Sequence, residues 1–470
     1  MTKLNDNKPQ QLLQFGATLH GASCFCVVCL RKKTFSMPSD LADLIVKGEV
    51  VLFAGAGIST EVPAVLVDSF YDTIEYSVND KVKDRSFPDL MEDFCKTPQG
   101  RVGLLQRLKE RFDYVYSHRE IYEEATRFHR ELATFLPIDT IITTNWDTYF
   151  EEECAATPFV DDKDIALWNA AGRKVLKIHG TISNLGSIVA TRTDYARCAR
   201  RLKGNVVGGL LKSLLATRST VFIGYSLRDD DFLQVYRAVR SLLSDFHRRP
   251  YFVAPNIAPE DRQRLVGLGL HLIETDGQFF ISELKKYAVE NSCFCRDEMY
   301  DGVASLLMEL SETHDWLHTN LDGSKHPQIL FSSWYQDGMM HALERILRLR
   351  KTGEQSDLHR LQNVFVSYDR FANRFRKDRN YGDAAYCAGY ANGYLFAAQY
   401  GDEGRPIKPP LFFYFGYEGR SRKGFKSALR SFPTLHRTAF EFAERLMSRY
   451  PKNTDVVLHH SPRLNLGKYM

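Results

Sequence analysis

The chain alternates between short apolar runs and longer stretches in which apolar residues recur every three or four positions. The first run, Glu49 to Ala54, flows directly into Gly55-Ala56-Gly57-Ile58-Ser59-Thr60. Its length, β-branched content and glycine boundary predict a buried strand. Comparable runs lie at residues 140–143, 175–179, 220–224, 251–254 and 271–274. Between them, helical spacing covers 122–135, 206–215, 230–243 and 259–268, with Pro259 suited to a first helical position. Ahead of the first strand a helix is expected from Ser39, read as its N-cap, with Leu41, Leu44 and Ile45 on one face. Strand, helix, strand, helix predicts an α/β fold, a Rossmann-like parallel sheet with helices on both faces. That region spans residues 38–290 and follows an N-terminal extension, 1–37.

After Cys295 the alternation stops. Amphipathic spacing at 300–316, 333–351 and 435–449 predicts a mainly α-helical C-terminal domain over 296–470. Within it Tyr386, Tyr390 and Tyr394 stand four apart, beside a second stripe of Ala385, Gly389, Gly393 and Ala397. At 3.6 residues per turn these are adjacent faces of one helix, and the small face admits a close helical neighbour. Residues 411–415, entered through Pro409 and Pro410, read as a strand.

Composition narrows the class. The 470 residues suggest two to four domains, and 44% hydrophobic with 26% charged residues excludes wholesale disorder. A net charge of +4, from 62 basic and 58 acidic residues, excludes a generic polyanion binder. Two local basic stretches stand out: Arg345, Arg348, Arg350 and Lys351, then Arg374, Arg376, Lys377 and Arg379. The simpler reading is solvated helix faces; the other is a surface for a partner, a nucleotide signal or nucleic acid. Nine cysteines, mostly isolated, indicate a reducing compartment. The polar stretch Met1 to Gln11 has no signal-peptide core, and no apolar run reaches membrane-spanning length. A cytoplasmic protein with no membrane association is expected. Cys24, Cys26 and Cys29, with His20 upstream, are the candidate metal ligands. Only Cys26 and Cys29 have zinc-like spacing, so buried thiols are the preferred reading and no metal is expected.

The chemistry concentrates at strand ends. A strand that closes in Gly-Ala-Gly and opens a helix suits a pyrophosphate, because glycines allow close backbone approach and free N–H groups face the anion. Thr60 replaces the third glycine of the usual dinucleotide fingerprint. The run at 140–143 delivers Thr144, Asn145 and Asp147. The run at 175–179 ends in His179 followed by Gly180. The run at 220–224 leads into Gly224-Tyr225-Ser226. In a parallel sheet the carboxyl ends share one edge, so these groups converge on one crevice.

Taken together, Gly55-Ala-Gly57-Ile-Ser59, Thr144-Asn145-x-Asp147, His179-Gly180 and Gly224-Tyr-Ser226-Leu resemble the sirtuin superfamily. Phe87-Pro-Asp-Leu90 and His129-Arg130 match where that family has helices flanking the cofactor. The resemblance covers residues 38 to about 290 and implies a Rossmann-like domain that binds NAD and breaks its nicotinamide–ribose bond. Deacylating sirtuins carry a four-cysteine zinc module between the His-Gly and Gly-Ser elements; here that interval holds one cysteine, Cys198. The family's Gly-Ile-Pro-Asp-Phe-Arg segment is replaced by Glu61-Val-Pro63-Ala-Val. These departures make the chain more similar to bacterial sirtuin-type NAD hydrolases of anti-phage defence, which implies self-assembly into a homo-oligomer and a HerA-type ATPase partner or phage-derived trigger.

Under this resemblance Asn145 holds a water or a ribose hydroxyl, Asp147 accepts from the ribose or fixes its loop, and His179 acts as general base. Ala54, Gly55 and Thr144 line the NAD site, while Ser59 and the amides of Ala56 and Gly57 hold pyrophosphate. Gly224, Tyr225, Ser226 and Asn256 lie toward the adenosine half. The reaction expected is NAD glycohydrolysis to nicotinamide and ADP-ribose. The alternatives are NAD-dependent deacylation or ADP-ribosylation, and a non-catalytic sensor of NAD or ADP-ribose.

Overall fold

The computed structural model describes residues 35–60, 65–78, 85–291, 294–404, 406–430, 436–449 and 459–460. They fall into two compact units: one runs to Asn291 and adds Lys351–Gly353, the other holds the remaining residues from Phe294 onward. Cys24, Cys26, Cys29 and His20 lie outside the described residues, as do Cys293 and the segment 61–64.

The first unit is built on seven strands: β1 (Val50–Ala54), β2 (Thr140–Thr143), β3 (Thr157–Phe159), β4 (Lys174–Lys177), β5 (Ser219–Ile223), β6 (Tyr251–Ala254) and β7 (His271–Glu274). They pair in the order β3-β4-β2-β1-β5-β6-β7, every pair parallel. The Rossmann-like parallel sheet is therefore present. β1 is buried along its whole length because helices cover both faces, which explains its unbroken apolar run. On one face Val51, Phe53 and Phe222 pack with Leu211 and Phe232 of the helices Val206–Thr217 and Asp230–Leu243.

Several boundaries differ from the sequence reading, each for a local reason. The helix Ser39–Val46 takes Pro38 as its N-cap, so Ser39 is the first helical residue and caps nothing. The stretch 122–135 forms two helices, Arg119–Ala125 and Arg127–Ala133, parted at Thr126. Thr126 Oγ1 donates to the Tyr122 carbonyl at 2.8 Å, a back-bond that bends helices. β4 ends at Lys177, so His179 lies beyond the strand rather than in it. β3 has no apolar run to announce it. It is an edge strand that tolerates Pro158 and leaves Thr157 and Pro158 exposed. The helices Gly100–Ser117 and Arg192–Gly204 were also not anticipated.

The second unit is mainly helical: Glu298–Asn320, Ile329–Arg348, Leu358–Lys377, Tyr381–Glu403, Arg422–Ala428 and Arg437–Met447, with one hairpin, β8 (Phe412–Tyr414) and β9 (Tyr417–Gly419). Both stripes of Tyr381–Glu403 are buried. The small stripe does admit a close neighbour: a Cβ on Gly389 would stand 1.8 Å from the Tyr335 carbonyl oxygen of Ile329–Arg348. The tyrosine stripe stacks, Tyr390 lying 4.0 Å from Tyr368 and 5.4 Å from Tyr394 between ring centroids. The helix Leu358–Lys377 escaped the sequence reading. Its N-cap, Asp357, accepts from the His359 and Arg360 amides. Arg374, Arg376 and Lys377 are exposed in its last turn, where cations complement the helix dipole. No described helix is long and apolar enough to cross a membrane.

Candidate active site

β1 lies between β2 and β5, with Ala54 level with Thr143 on one side and Ile223 on the other. The chain leaves β1 to pair β2 on one flank and continues from β5 on the opposite flank. That reversal opens a crevice at the carboxyl edge, where ligands of open α/β sheets bind.

The turn after β1 is laid against the turn after β5. Gly55 N–H donates to Ile223 O at 3.0 Å and Gly57 N–H donates to Gly224 O at 2.9 Å. A Cβ on Gly55 would come within 2.6 Å of Gly224 O, and one on Gly57 within 2.9 Å. Gly224 itself has φ +60°, a conformation that favours glycine. Glycine is therefore required here by loop-on-loop contact. The Gly57 amide, expected to face pyrophosphate, is already bonded to Gly224. Beside the turn opens a small cleft of about 30 Å³, lined by Gly57, Ile58, Arg127, Phe128, Asp276 and Gly277. Arg127 and Asp276 form a two-pronged ion pair at 3.0 and 3.2 Å that closes one wall.

Ser59 joins the glycine turn to the loop after β2. Asn145 Nδ2 donates to Ser59 Oγ at 3.3 Å, and Ser59 Oγ donates to Ala56 O at 3.4 Å. The Asn145 backbone is held by Thr143 Oγ1 at 3.0 Å, and Thr143 Oγ1 donates to Ala54 O at 2.9 Å. With its NH₂ turned to Ser59, Asn145 keeps Oδ1 buried and without a hydrogen-bond partner among the described residues. An unpartnered buried acceptor is free to take a hydrogen bond from a donor outside the chain.

Asp147 is buried two residues on. Its Oδ1 accepts the Tyr149 amide at 3.2 Å, and its carbonyl accepts Lys177 Nζ. Burial pushes its carboxyl up, while Lys177, the Tyr149 N–H and the Ser59 hydroxyl pull it down. This geometry favours the loop-fixing role for Asp147. Lys177, itself buried, also pairs with Glu151 at 3.0 Å. Sequence reading missed it, because a lysine in a short strand carries no signal.

His179 is buried, with Nε2 2.9 Å from Asp231 Oδ2 and its ring 5.0 Å from that of Tyr195. Burial alone would push the imidazole down; the hydrogen bond and charge of Asp231 outweigh it, so His179 titrates well above the ordinary histidine range. Asp231 is correspondingly held below the carboxylate range despite its own burial. Asp231 was not foreseen, although the run Asp229-Asp230-Asp231 at a helix start was visible. Cys198 Sγ lies within 4.8 Å of both ligand atoms of this pair. The Arg201 guanidinium 3.9 Å from that sulfur disfavours a cation there.

The remaining candidates share the edge without joining the cluster. Thr144 is half-buried. Tyr225 is a core residue, stacked on Phe53 at 4.5 Å. Ser226 is exposed and its carbonyl accepts from Arg264 at 2.9 Å. Asn256 is exposed just after β6. His129, a lesser motif residue, is buried among Tyr149 and Phe150 and pushed down to about 3 by burial and by Lys177.

Residues 139–274 match the model of the SIR2-like domain. That stretch of the chain is similar to the SIR2-like domain. The match includes Asn145, Asp147, His179 and the Gly224 turn, and begins after the glycine turn of β1. Defense-associated sirtuin 2 of Bacillus subtilis is 24% identical over 287 residues, 56% of this chain and 26% of that protein. The NAD(+) hydrolase ThsA of Bacillus cereus (strain MSX-D12) is 22% identical over 322 residues, 66% and 63% of the two chains. The NAD(+) hydrolase ThsA of Enterococcus faecium is 28% identical over 227 residues, 47% and 46%. The chain thus spans less than two thirds of each of these relatives.

Proposed function

We propose that this protein hydrolyses NAD at the nicotinamide–ribose bond, releasing nicotinamide and ADP-ribose, as a regulated effector of anti-phage defence. The observation that carries this reading is the buried Asn145 Oδ1, unpartnered among the described residues and anchored through Ser59 beside the glycine turn. The relatives named as NAD(+) hydrolases and a defense-associated sirtuin support the substrate and the setting.

The glycosidic electron pair leaves with the nicotinamide ring nitrogen, which is cationic in NAD and becomes neutral. Ribose C1′ is left oxocarbenium-like, as in other glycoside cleavages. Asn145 Oδ1 accepts a hydrogen from the attacking water or a ribose hydroxyl and fixes its direction. The water oxygen bonds to C1′ and its proton departs to solvent, because Asp231 holds the His179 imidazole in its charged form, which cannot accept it. Pyrophosphate contacts fall to the Ala56 amide and Ser59, because Gly57 N–H is bonded to Gly224.

A non-catalytic NAD sensor is the second reading, favoured by the pairing of His179 Nε2 with Asp231. Deacylation is disfavoured by the single cysteine between His179 and Gly224. The helical unit is assigned control of turnover, through self-assembly and a HerA-type ATPase or phage-derived trigger. The test is nicotinamide release from NAD by purified protein over a range of concentrations, with and without such partners. Turnover that Asn145→Ala removes supports hydrolysis; tight NAD binding with no turnover under any condition supports the sensor.

A further inference from the structure

A second set of ligating side chains lies wholly within the helical unit. His314 and His318 stand one turn apart on Glu298–Asn320, their rings 4.5 Å apart. Asp337 comes from the helix Ile329–Arg348. His459 stacks on the His314 ring at 5.3 Å, and its Nδ1 is 2.9 Å from Asp337 Oδ1.

The hydrogen bonds around His314 assign its tautomer. Gln336 Nε2 donates to the Leu411 carbonyl at 2.8 Å, so Gln336 Oε1 is the atom 3.0 Å from His314 Nδ1. A carbonyl oxygen only accepts, so Nδ1 carries the hydrogen and Nε2 is a bare lone pair. His314 is 7% exposed, and this Nε2 has no hydrogen-bond partner among the described residues. A buried lone pair left in that state is unfavourable and calls for an electron-pair acceptor.

Asp337 is equally unusual. It is 2% exposed, and its carboxylate is met by the His459 ring and the His460 amide, with no Lys or Arg ion pair among the described residues. A buried carboxylate needs compensating positive charge. Ligand atoms of His314, Asp337 and His459 lie within 4.8 Å of one another.

We propose that His314 Nε2, the Asp337 carboxylate and a ring nitrogen of His459 bind a divalent transition-metal ion of the zinc class. Two imidazoles and one carboxylate form a borderline donor set that zinc accepts, leaving one tetrahedral position for water. Gln336 supplies the outer contact that metal-bound histidines characteristically make through their other N–H. The ion would tie the segment bearing His459 and His460 to the helices carrying His314 and Asp337. His460 already reinforces that tie, its Nε2 being 2.7 Å from Asp383 Oδ1. This inference is independent of the NAD reading.

The test uses the full chain, stripped with a chelator, desalted and titrated calorimetrically with Zn²⁺ alone, with Co²⁺ absorption as a second probe. About one equivalent should bind, with a raised melting temperature that the chelator reverses. His314→Ala and Asp337→Asn should weaken binding by about 100-fold, and Gln336→Leu by about 10-fold. His459 is exposed, so His459→Ala should fold normally and still lose at least about 10-fold in affinity. Binding below about 0.1 equivalent in the wild type overturns the proposal. So does wild-type affinity in both His459→Ala and His314→Ala, which would locate the metal elsewhere, such as at Cys24, Cys26 and Cys29.

Discussion

His179 Nε2 lies 2.9 Å from Asp231 Oδ2, and both side chains are buried at the carboxyl edge of the sheet. One belongs to the loop after β4 and the other to the first turn of Asp230–Leu243. The pair raises the imidazole and lowers the carboxyl, so each group holds the other in its charged form. A histidine with a raised folded value contributes fully below its ordinary 6.5 and loses the contribution as pH rises through the folded value. An aspartate with a lowered folded value contributes fully above its ordinary 3.8 and loses it as pH falls through the folded value. Asp231→Asn should therefore lower the melting temperature most between these two values, with the penalty shrinking at alkaline pH. A pH-independent penalty in thermal denaturation would contradict the ion pair.

The Asn145–Ser59 contact leads to a graded prediction. Asn145→Ala should reduce nicotinamide release by about 100-fold or more, in the range for loss of a positioned catalytic group. Ser59→Ala leaves the amide present but unanchored, so a loss of about 10-fold is expected. Steady-state kinetics on both variants checks the ordering; an equal loss would mean that Ser59 does more than anchor the amide and touch the pyrophosphate.

The two turns pressed together after β1 and β5 should not tolerate side chains. In Gly55→Ala the Cβ would meet Gly224 O at 2.6 Å, and in Gly224→Ala it would meet Ile58 at the same distance. Overpacking of this kind costs about 1–3 kcal/mol, and the φ of +60° adds about 1 kcal/mol at Gly224. Differential scanning calorimetry should show both variants destabilised, Gly224→Ala the more so.

In the helical unit Gly389→Ala should have a larger effect than a helix propensity gain would suggest. Alanine favours a helix by about 1 kcal/mol over glycine, yet its Cβ would stand 1.8 Å from the Tyr335 carbonyl. Net destabilisation by about 1–3 kcal/mol is expected. Gly404→Ala serves as a control, since its Cβ would meet nothing within 4 Å and only its φ of +71° would be strained.

Much of the site was legible in one dimension. β1 and its glycine turn, the Asn145 loop and the Gly224 turn are local, and each follows from a short apolar run broken by residues that turn the chain. Their gathering followed from one inference, since parallel strands place all carboxyl ends together. The misses share a cause. Asp231 and Lys177 matter through partners 52 and 26 positions away, and neither contact leaves a local pattern. β3 was hidden because an edge strand needs no apolar alternation.

The sequence by itself determined the strand–helix alternation, the strand-end residues and the small-residue stripe, because these depend on the periods of helix and strand and on glycine's backbone freedom. Only the tertiary structure decided which polar atoms are already satisfied. It bonded Gly57 N–H to Gly224, paired His179 with Asp231, left Asn145 Oδ1 and His314 Nε2 buried without partners among the described residues, and brought His459 to Asp337 across 122 positions. Satisfaction of a buried polar group depends on whatever packs against it, and that neighbour is chosen by the whole fold rather than by nearby sequence.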